Sequence, residues 1–428
     1  MKLRQFPNIG ESYYEQRLEN GLKVRVIPKK GFTKKYAFLA VDFGAIDTHF
    51  TLKGRKITVP DGIAHYLEHK MFDLPEENTM DIFARYGGSP NAFTSYEMTA
   101  YHVACTDCFE ENLRTLLRMV MTPYFTEESV EKERGIIAQE IRMYEDSAHS
   151  RVGEELFRAL FSRHPIRVPI TGSVESIGEI TAQMLYDCYE AFYRPANMML
   201  CVAGDVEAEK VLTIAKEESG EASRELPVRD YGEKENYLPC LPRVSHEMEV
   251  SMPTFAIGFA CPPPENKAQC MHREIVGDLA AEILVGESSA LFQRLYEEGF
   301  IDGDFSAGYE SVKDACLLSA GGDSRDPEAV LAAILAEAER IDREGFDPAL
   351  FERLKKSALG RRTRDLDSFQ SICYRSCAYE FDGVDYFTFP EAYAGVKAED
   401  ILDFLRQTVR PEKAALSVIC PKKKEDKE

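Results

Sequence analysis

The chain has 428 residues, 44% of them hydrophobic, which is enough for two or more sizeable cores and predicts two or three domains. Its formal net charge of −21 argues against a nucleic-acid partner and against binding to anionic membranes, because both require a basic surface. Its eleven cysteines form no recognisable framework and predict free thiols in a reducing compartment.

The N-terminal segment gives an expectation about localisation. Met1–Pro7 lacks the apolar run of a signal peptide, and no stretch of the chain reaches the roughly 18 consecutive apolar residues of a membrane-spanning helix. We therefore expect a cytoplasmic protein. The acidic composition leaves two interpretations open, a chamber that attracts basic peptides and an ordinary solvated surface.

Strands are predicted at the start of the chain. Residues 15–28 alternate apolar and polar side chains around Asn20-Gly21, a dipeptide typical of hairpin turns. Tyr36–Phe43 is a fuller β run that ends at Gly44. The next element, Asp61–Met71, has the apolar spacing of a helix.

This predicted helix contains His65, Glu68 and His69 in the order H-x-x-E-H. The two histidines lie one turn apart on the same helix face, with Glu68 beside them. Two neutral imidazoles can bind one Zn²⁺, and a catalytic zinc site keeps a position open for water. A carboxylate beside that water can act as general base. The motif predicts a zinc hydrolase site; the alternative is a surface helix with two histidines by accident.

A second helix can supply the third metal ligand. Residues 126–144 predict a helix with Thr126 at its N-cap. Its apolar face carries the following residues: Val130, Ile137, Ile141 and Tyr144. Glu133 and Glu140 lie on or beside this face, where a carboxylate is costly unless a cation meets it. With the histidine motif, Glu140 becomes the third ligand and Glu133 a group that holds a histidine. The alternative is that both lie on the rim of a solvated face.

At these positions the sequence resembles the pitrilysin/insulinase family of inverted-zincin metallopeptidases, and within it the short bacterial YmfH-like members. The resemblance covers essentially the whole chain. Its motifs are specific only in combination, and they are Gly62–His69, Gly88–Tyr101, Glu133–Glu140 and His164–Gly172.

The resemblance implies roles for the residues of the first half. It makes His65, His69 and Glu140 the zinc ligands. Glu68 is then the catalytic base and Glu133 the acid that supports the site.

The resemblance also points to a substrate-binding strand. Asn91–Val103 predicts two short strands that bend near Ser95–Glu97. In the family, the first of these strands is a sheet edge that pairs with extended substrate. Asn91, Ala92 and Phe93 are therefore candidates for substrate contact, and an ordinary edge strand is the alternative.

An internal repeat divides the chain. Residues 180–202 align without gaps with residues 396–418. We predict an α+β protein with two homologous α/β sandwich halves, each a mostly antiparallel sheet with helices on one face, that form a clamshell. The predicted domains are a catalytic zinc-binding domain at 1–220, a linker at 221–242 and a non-catalytic homologous domain at 243–428.

The second half departs from the metal motif and from the family. Where the first half has H-x-x-E-H, it has Leu279–Gly286 without a histidine. Many family members carry an Arg and a Tyr in this half that bind substrate and stabilise the oxyanion; the matching positions here are Tyr296 and Asp302. Arg294 and Tyr309 are close enough in sequence to compensate. Our hypothesis is instead a heterodimer in which a paralogous subunit without zinc supplies these groups, with a homodimer as the other arrangement.

Two functions of different class follow. One is a zinc endopeptidase that hydrolyses small unfolded peptides. The other is a peptide-binding or scaffold subunit of a processing complex with little activity of its own. Glu68 favours the enzyme, because a purely structural zinc site needs no base.

Overall fold

The structure, a computed structural model, describes residues 1–75, 77–221 and 225–422. Its strands, in chain order, are β1 (Lys2–Phe6), β2 (Glu11–Arg17), β3 (Lys23–Pro28), β4 (Lys35–Val41), β5 (His49–Leu52), β6 (Arg55–Thr58), β7 (Ser89–Thr94), β8 (Thr99–Cys105), β9 (Met198–Gly204), β10 (Val228–Arg229), β11 (Arg243–Met248), β12 (Thr254–Cys261), β13 (Ser306–Val312), β14 (Ala315–Asp323) and β15 (Ala414–Pro421).

The helices, in chain order, are α1 (Ile63–Lys70), α2 (Thr79–Arg85), α3 (Phe109–Met121), α4 (Glu127–Glu145), α5 (Ala148–Leu160), α6 (Val174–Gly178), α7 (Ala182–Phe192), α8 (Ala208–Glu218), α9 (Cys270–Val285), α10 (Ala290–Glu297), α11 (Pro327–Glu344), α12 (Pro348–Arg364), α13 (Phe369–Phe381), α14 (Phe389–Gly395) and α15 (Ala398–Thr408). Among the described residues, none of these helices is both long enough and apolar enough to span a membrane.

The chain forms two compact units, and their mixed content of helices and sheets confirms the predicted α+β class. Unit 1 comprises Met1–Ile141, Pro169–Tyr231 and Arg362–Thr388. Unit 2 comprises Arg142–Val168, Gly232–Arg361 and Phe389–Glu428, of which residues 423–428 lie outside the described part. The units are discontinuous in sequence, whereas the predicted domains 1–220 and 243–428 are continuous segments and stay a prediction.

Unit 1 contains a seven-stranded sheet in the order β1-β2-β3-β9-β4-β8-β7. Neighbouring strands are antiparallel except β3 and β9. The predicted hairpin is present: Arg17 pairs with Lys23, and Gly21 in the turn has a φ of 98°. The sheet is therefore mostly antiparallel, as predicted, and β7 is one of its edges.

One face of this sheet packs against α1, α3 and α7. Alternate strand residues such as Val24, Leu39 and Tyr101 point to this side, because successive side chains of a strand face opposite ways. Leu67 of α1 and Leu116 of α3 are completely buried against them. This core holds α1 and thereby the predicted metal motif.

The opposite face of the sheet is covered by α13, although that helix comes late in the sequence. Arg25 on β3 is 1% exposed and donates from Nη2 to Glu15 Oε2 at 2.6 Å and to Glu380 Oε2 at 3.2 Å. The Tyr13 hydroxyl donates to Asp385 Oδ2 at 2.6 Å. A buried cation must be paired, so these bonds fix where α13 sits on the sheet. The apolar pattern of a helix does not predict which sheet it covers.

Helix α5 shows the reciprocal arrangement, since it comes from the first half of the sequence and packs in unit 2. It lies against β12 and β15. At Gly258 of β12, a Cβ atom would lie 2.6 Å from Leu160 Cδ1 and 3.1 Å from Leu156 Cδ2. Glycine at this position therefore allows the close approach of α5 to the sheet.

The internal repeat is confirmed in three dimensions. Helix α7, a 3-10 turn at Pro195–Asn197 and β9 follow one another as do α15, a 3-10 turn at Pro411–Lys413 and β15. Strand β9 is parallel to β3 and antiparallel to β4, and β15 is parallel to β11 and antiparallel to β12. The five-stranded sheet of unit 2, β11-β15-β12-β14-β13, thus repeats the order β3-β9-β4-β8-β7.

Helix α4 agrees with its prediction except at its end. The N-cap is confirmed, because Thr126 Oγ1 accepts from Ser129 N at 3.1 Å. Ile137 and Ile141 are buried as predicted, but Tyr144 is 39% exposed, so its place on the apolar face was wrong. The core of unit 1 that buries this face extends only to Ile141.

Part of the predicted linker 221–242 is folded onto unit 1. Residues 222–224 lie outside the described residues, but β10 pairs with β5 in a small sheet of order β10-β5-β6. Arg229 Nε donates to Asp47 Oδ1 at 3.0 Å, and the Tyr231 hydroxyl donates to the same oxygen at 3.0 Å. Asp47 is 1% exposed, so Arg229 neutralises a buried carboxylate.

We expect Arg229→Gln to lower the free energy of unfolding by about 3–5 kcal/mol at pH 8, because it leaves a buried charge unpaired. Burial raises the pKa of Asp47 to about 6, and Arg229 opposes this rise. The folded chain therefore binds this proton more tightly than the unfolded chain, so stability falls as the pH rises from about 4 through 6. Loss of Arg229 extends that fall to higher pH.

Unfolding by urea at pH 8 and pH 5 measures the effect, and the deficit of the variant should shrink at pH 5. Arg55→Gln, an exposed position of the same small sheet, is the control and should change stability by less than about 0.5 kcal/mol. A deficit that is the same at both pH values would contradict the assignment.

Candidate metal centre

The start of α1 is fixed by two glycines in close contact. Gly62 precedes the helix with a φ of 86°, and a Cβ there would lie 2.4 Å from Thr171 O. Gly172 has a φ of 71°, and its Cβ would lie 2.5 Å from Asp61 O. Ser176 Oγ also donates to Asp61 O at 2.9 Å. The Gly62–His69 and His164–Gly172 motifs therefore meet where the metal helix begins.

We expect Gly62→Ala to destabilise unit 1 by about 2–5 kcal/mol. A left-handed backbone costs a non-glycine residue about 1–2 kcal/mol, and overpacking against Thr171 adds about 1–3 kcal/mol. Gly54→Ala is the matched control, because Gly54 also has a positive φ of 74° but has nothing within 4 Å of its Cβ position. Urea unfolding of both variants should show the larger loss at Gly62; equal losses would mean that the close contact is unimportant.

Helix α1 is also tied to the first turn of α4. The Tyr66 hydroxyl donates to Val130 O. Lys70 is 1% exposed, pairs with Asp73 and donates from Nζ to Ser129 O at 3.3 Å. These bonds hold the two helices in register, so the side chains that project between them are preorganised.

His65, His69 and Glu140 converge between α1 and α4. Each offers one ligand atom, and the three atoms lie within 4.8 Å of one another. His65 Nε2 is 3.6 Å from Glu140 Oε1, and His69 Nε2 is 3.5 Å from Glu140 Oε2. Ligands of a tetrahedral zinc ion at about 2.0–2.2 Å lie about 3.4 Å apart, so this donor set fits Zn²⁺. In the described part of the chain this is the one such group, and it lies in unit 1.

Glu133 holds His69 in the orientation that a metal ligand needs. Its Oε1 lies 2.9 Å from His69 Nδ1. A proton on Nδ1 leaves the lone pair of Nε2 for a metal, and such carboxylate partners are typical of zinc-bound histidines. The structure therefore brings together the predicted ligands and the predicted supporting acid.

The histidines and carboxylates of the site shift one another's pKa values. The His65 imidazole close by, opposed by partial burial, lowers the pKa of Glu140. The hydrogen bond from His69 likewise lowers the pKa of Glu133. For His69, burial disfavours the cation, but the bond to Glu133 and the nearby carboxylates outweigh it and raise its pKa. Glu133 and Glu140 are thus favoured in their ionised form.

Glu68 lies beside the three ligands in a different environment. It is 8% exposed, and burial raises its pKa. Its Oε2 accepts a hydrogen bond from Thr94 Oγ1 at 2.7 Å. A carboxylate that burial makes more basic is suited to accept a proton, as expected for a general base.

The main chain of β7 is open on the side away from β8. Ser95 N donates to Met98 O at 2.8 Å, so odd-numbered residues of β7 direct their N–H and C=O groups to β8 and even-numbered residues direct them outward. Ala92 therefore faces the open edge, and its N–H bonds to Asn91 Oδ1 at 2.9 Å. An incoming strand that pairs with Ala92 would displace the Asn91 side chain from the Ala92 N–H.

The Phe93 side chain lies on the face of the sheet opposite to that of Ala92, because successive strand residues face opposite ways, and it contacts aromatic rings there. Its ring centroid is 6.1 Å from that of Phe38 and 5.9 Å from that of Tyr374 on α13. Phe93 is thus partly buried within unit 1.

The two positions that match the family's Arg and Tyr, and the two nearby residues predicted as possible replacements for them, differ in their exposure to solvent. Tyr296 is 54% exposed on α10, and Asp302 Oδ1 accepts from Asp304 N at 3.0 Å. Arg294 is exposed on α10. Tyr309 is 9% exposed, and its ring fills the space beside Gly277, whose Cβ would lie 2.4 Å from Tyr309 Cγ. Tyr309 is a core residue of unit 2, which argues against its role as a replacement.

Comparison with known protein families agrees with this geometry. Residues 59–173 match Insulinase (Peptidase family M16), and residues 179–358 match the Peptidase M16 inactive domain. The first match contains all three predicted ligands, and the second lies largely in the half without the motif.

Individual relatives extend the similarity to nearly the whole chain. The zinc protease YmfH of Bacillus subtilis is 33% identical over 98% of this chain and 99% of its own length. The zinc protease YmxG of the same organism is 25% identical over 84% of this chain and 85% of its own length. Zinc, the predicted cofactor, is the metal in both names.

Solved structures share the fold. An M16-like peptidase from Alicyclobacillus acidocaldarius superposes with a TM-score of 0.93 at 30% identity, over 98% of this chain and 99% of that one. Pitrilysin superposes with a TM-score of 0.77 at 19% identity, over 97% of this chain and 46% of that one, which shows the fold alone. The chain therefore belongs to the M16, or insulinase, family of peptidases.

Proposed function

We propose that this chain is an active zinc-dependent endopeptidase of the inverted-zincin type that hydrolyses small unfolded peptides. The observation that carries the proposal is the convergence of His65, His69 and Glu140 with Glu68 placed beside them. The relatives support the proposal, since they are named as zinc proteases.

In this proposal His65, His69 and Glu140 hold the metal. Zinc supplies Lewis-acid chemistry: it polarises a peptide carbonyl and lowers the pKa of water. Glu68 accepts the proton from the attacking water and later delivers it to the leaving amine. Glu133 keeps His69 in the required tautomer.

The proposed substrate binds as an added strand at β7. Ala92 directs its N–H and C=O to the open edge, and main-chain bonds of this kind hold a peptide whatever its sequence. Asn91 would release Ala92 N–H, and Phe93 would contact a substrate side chain. This mode requires an extended peptide, which is why we propose unfolded substrates.

We further propose that a paralogous subunit without the zinc motif completes the active enzyme in a reducing, cytoplasmic setting. Tyr296 and Asp302 occupy the positions where many family members carry Arg and Tyr, and the burial of Tyr309 removes one internal replacement. An oxyanion donor is worth about 3–4 kcal/mol, so an enzyme without one is slow. The eleven free cysteines support a reducing compartment.

Metal analysis combined with a quenched-peptide assay tests the proposal. We expect about one zinc per chain, and we expect cleavage of unstructured peptides that a chelator stops and added zinc restores. A chain that binds zinc but cleaves no peptide, alone or with its paralogue, would favour the alternative of a peptide-binding subunit.

A separate experiment tests the proposed paralogous subunit. The chain is expressed alone and together with the paralogous protein encoded nearest to it, and cleavage is compared per bound zinc. We expect at least a tenfold gain in the pair; equal activity in both samples would remove the heterodimer.

A further inference from the structure

We propose that Thr94 is the positioning residue of the catalytic base, holding the Glu68 carboxylate in the orientation from which it accepts a proton. This inference rests on the proposed peptidase function and concerns the same site. Thr94 is the last residue of the edge strand β7 and belongs to neither helix of the metal centre.

The contact between the two side chains has a defined direction. Thr94 Oγ1 lies 2.7 Å from Glu68 Oε2, and an ionised carboxylate can only accept, so the threonine donates. Glu68 is 8% exposed, so little water can replace the hydroxyl. The bond engages Oε2 and leaves Oε1 to accept from a water molecule.

Thr94 is itself held in place by β8. The Ser95–Met98 hydrogen bond makes Thr94 and Thr99 a non-hydrogen-bonded pair, in which the side chains approach most closely. Thr99 is fully buried, and its Oγ1 lies 3.4 Å from Thr94 Oγ1 and donates to Phe43 O at 2.9 Å. The Thr94 hydroxyl is thus confined between an anchored oxygen and Glu68.

The same residue also faces the proposed substrate. In the pairing of β7 with β8, the N–H and C=O groups of Thr94 point to the open edge, as those of Ala92 do. A peptide strand that pairs with Thr94 is therefore fixed in position along β7 by the same residue that orients Glu68. Thr94 links the position of the scissile bond to the position of the base.

Thr94→Val and Thr94→Ser test the role of the hydroxyl. Valine keeps the shape and the strand preference but removes the donor. We expect Thr94→Val to reduce kcat by about 10- to 100-fold with unchanged KM and zinc content, because a displaced catalytic group costs rates of this size. Thr94→Ser should recover most of kcat. Thr58→Val, at an exposed strand position of unit 1, is the control and should match the wild type.

An unchanged kcat in Thr94→Val would overturn the proposal. If KM rises at the same time, Thr94 is a substrate-binding residue only. Thr94→Ala removes the same hydroxyl and replaces the valine variant if that protein does not fold.

Crystal structures of the zinc-loaded wild type and Thr94→Val give a readout that does not depend on turnover. We expect Glu68 Oε2 to stay within hydrogen-bond distance of Thr94 in the wild type and the carboxylate to leave that position in the variant. An unmoved carboxylate refutes the positioning role even if the wild type cleaves peptides. A moved carboxylate supports it even if neither protein cleaves, in which case the proposed function alone fails.

Discussion

Glu68→Gln will reduce kcat for peptide hydrolysis by about 10²- to 10⁴-fold, the usual contribution of a general base. Glutamine has the size of glutamate and can still accept from Thr94, so the geometry of α1 should persist. It cannot take a proton from water at neutral pH. Because Glu68 is not one of the three converging ligands, the zinc content should equal that of the wild type.

The measurement is steady-state cleavage of a quenched peptide together with metal analysis of the same sample. Glu128→Gln, an exposed acid in the first turn of α4, is the control and should retain full activity. Unaltered turnover in Glu68→Gln would mean that another group acts as the base. Loss of zinc in this variant would mean that Glu68 is a ligand.

Glu140→Ala will weaken zinc binding more than Glu133→Gln does. The two carboxylate oxygens of Glu140 lie 3.6 Å from His65 Nε2 and 3.5 Å from His69 Nε2, whereas Glu133 contacts His69 at Nδ1, on the far side of the ring. Loss of a partner that orients a ligand typically costs 10- to 100-fold in metal affinity, so we expect a loss of about this size for Glu133→Gln and a larger one for Glu140→Ala.

Competition with a chromophoric chelator measures both affinities. At saturating zinc, Glu133→Gln should regain much of its activity because the three ligands remain. Glu140→Ala should not regain it. Should Glu140→Ala bind zinc as tightly as the wild type, the third ligand is some other group and the assignment of α4 to the metal centre is wrong.

The sequence predicted most of the candidate site, because the local pattern carried the information. His65 and His69 are four residues apart on a helix whose start and buried face are visible in the sequence, so their common direction follows from helix geometry. Glu133 and Glu140 were identified because carboxylates next to an apolar stripe need a cation. The structure places all four at one point between α1 and α4.

The remaining features depend on contacts between distant segments, which no local pattern encodes. Thr94 was not identified as a functional residue, although its alternation with Ala92 along β7 places both on the face toward α1. Tyr309 was considered as a replacement for a missing group because it is close in sequence, but it is buried beside Gly277. The placement of α13 on the first sheet is set by Arg25 and its partners.

The exchange of α5 and α13 has a consequence for synthesis on the ribosome. When the first 220 residues have emerged, every strand of the seven-stranded sheet is available, but the helix that covers its second face is not. Phe38 and Cys201, which are completely buried in the finished protein, then remain in contact with water until residue 381 is translated. A nascent chain with such an uncovered apolar face invites chaperone binding or aggregation. We therefore expect fragments that end within 225–242 to be insoluble, and maturation of the peptidase to occur only after nearly the whole chain has been made.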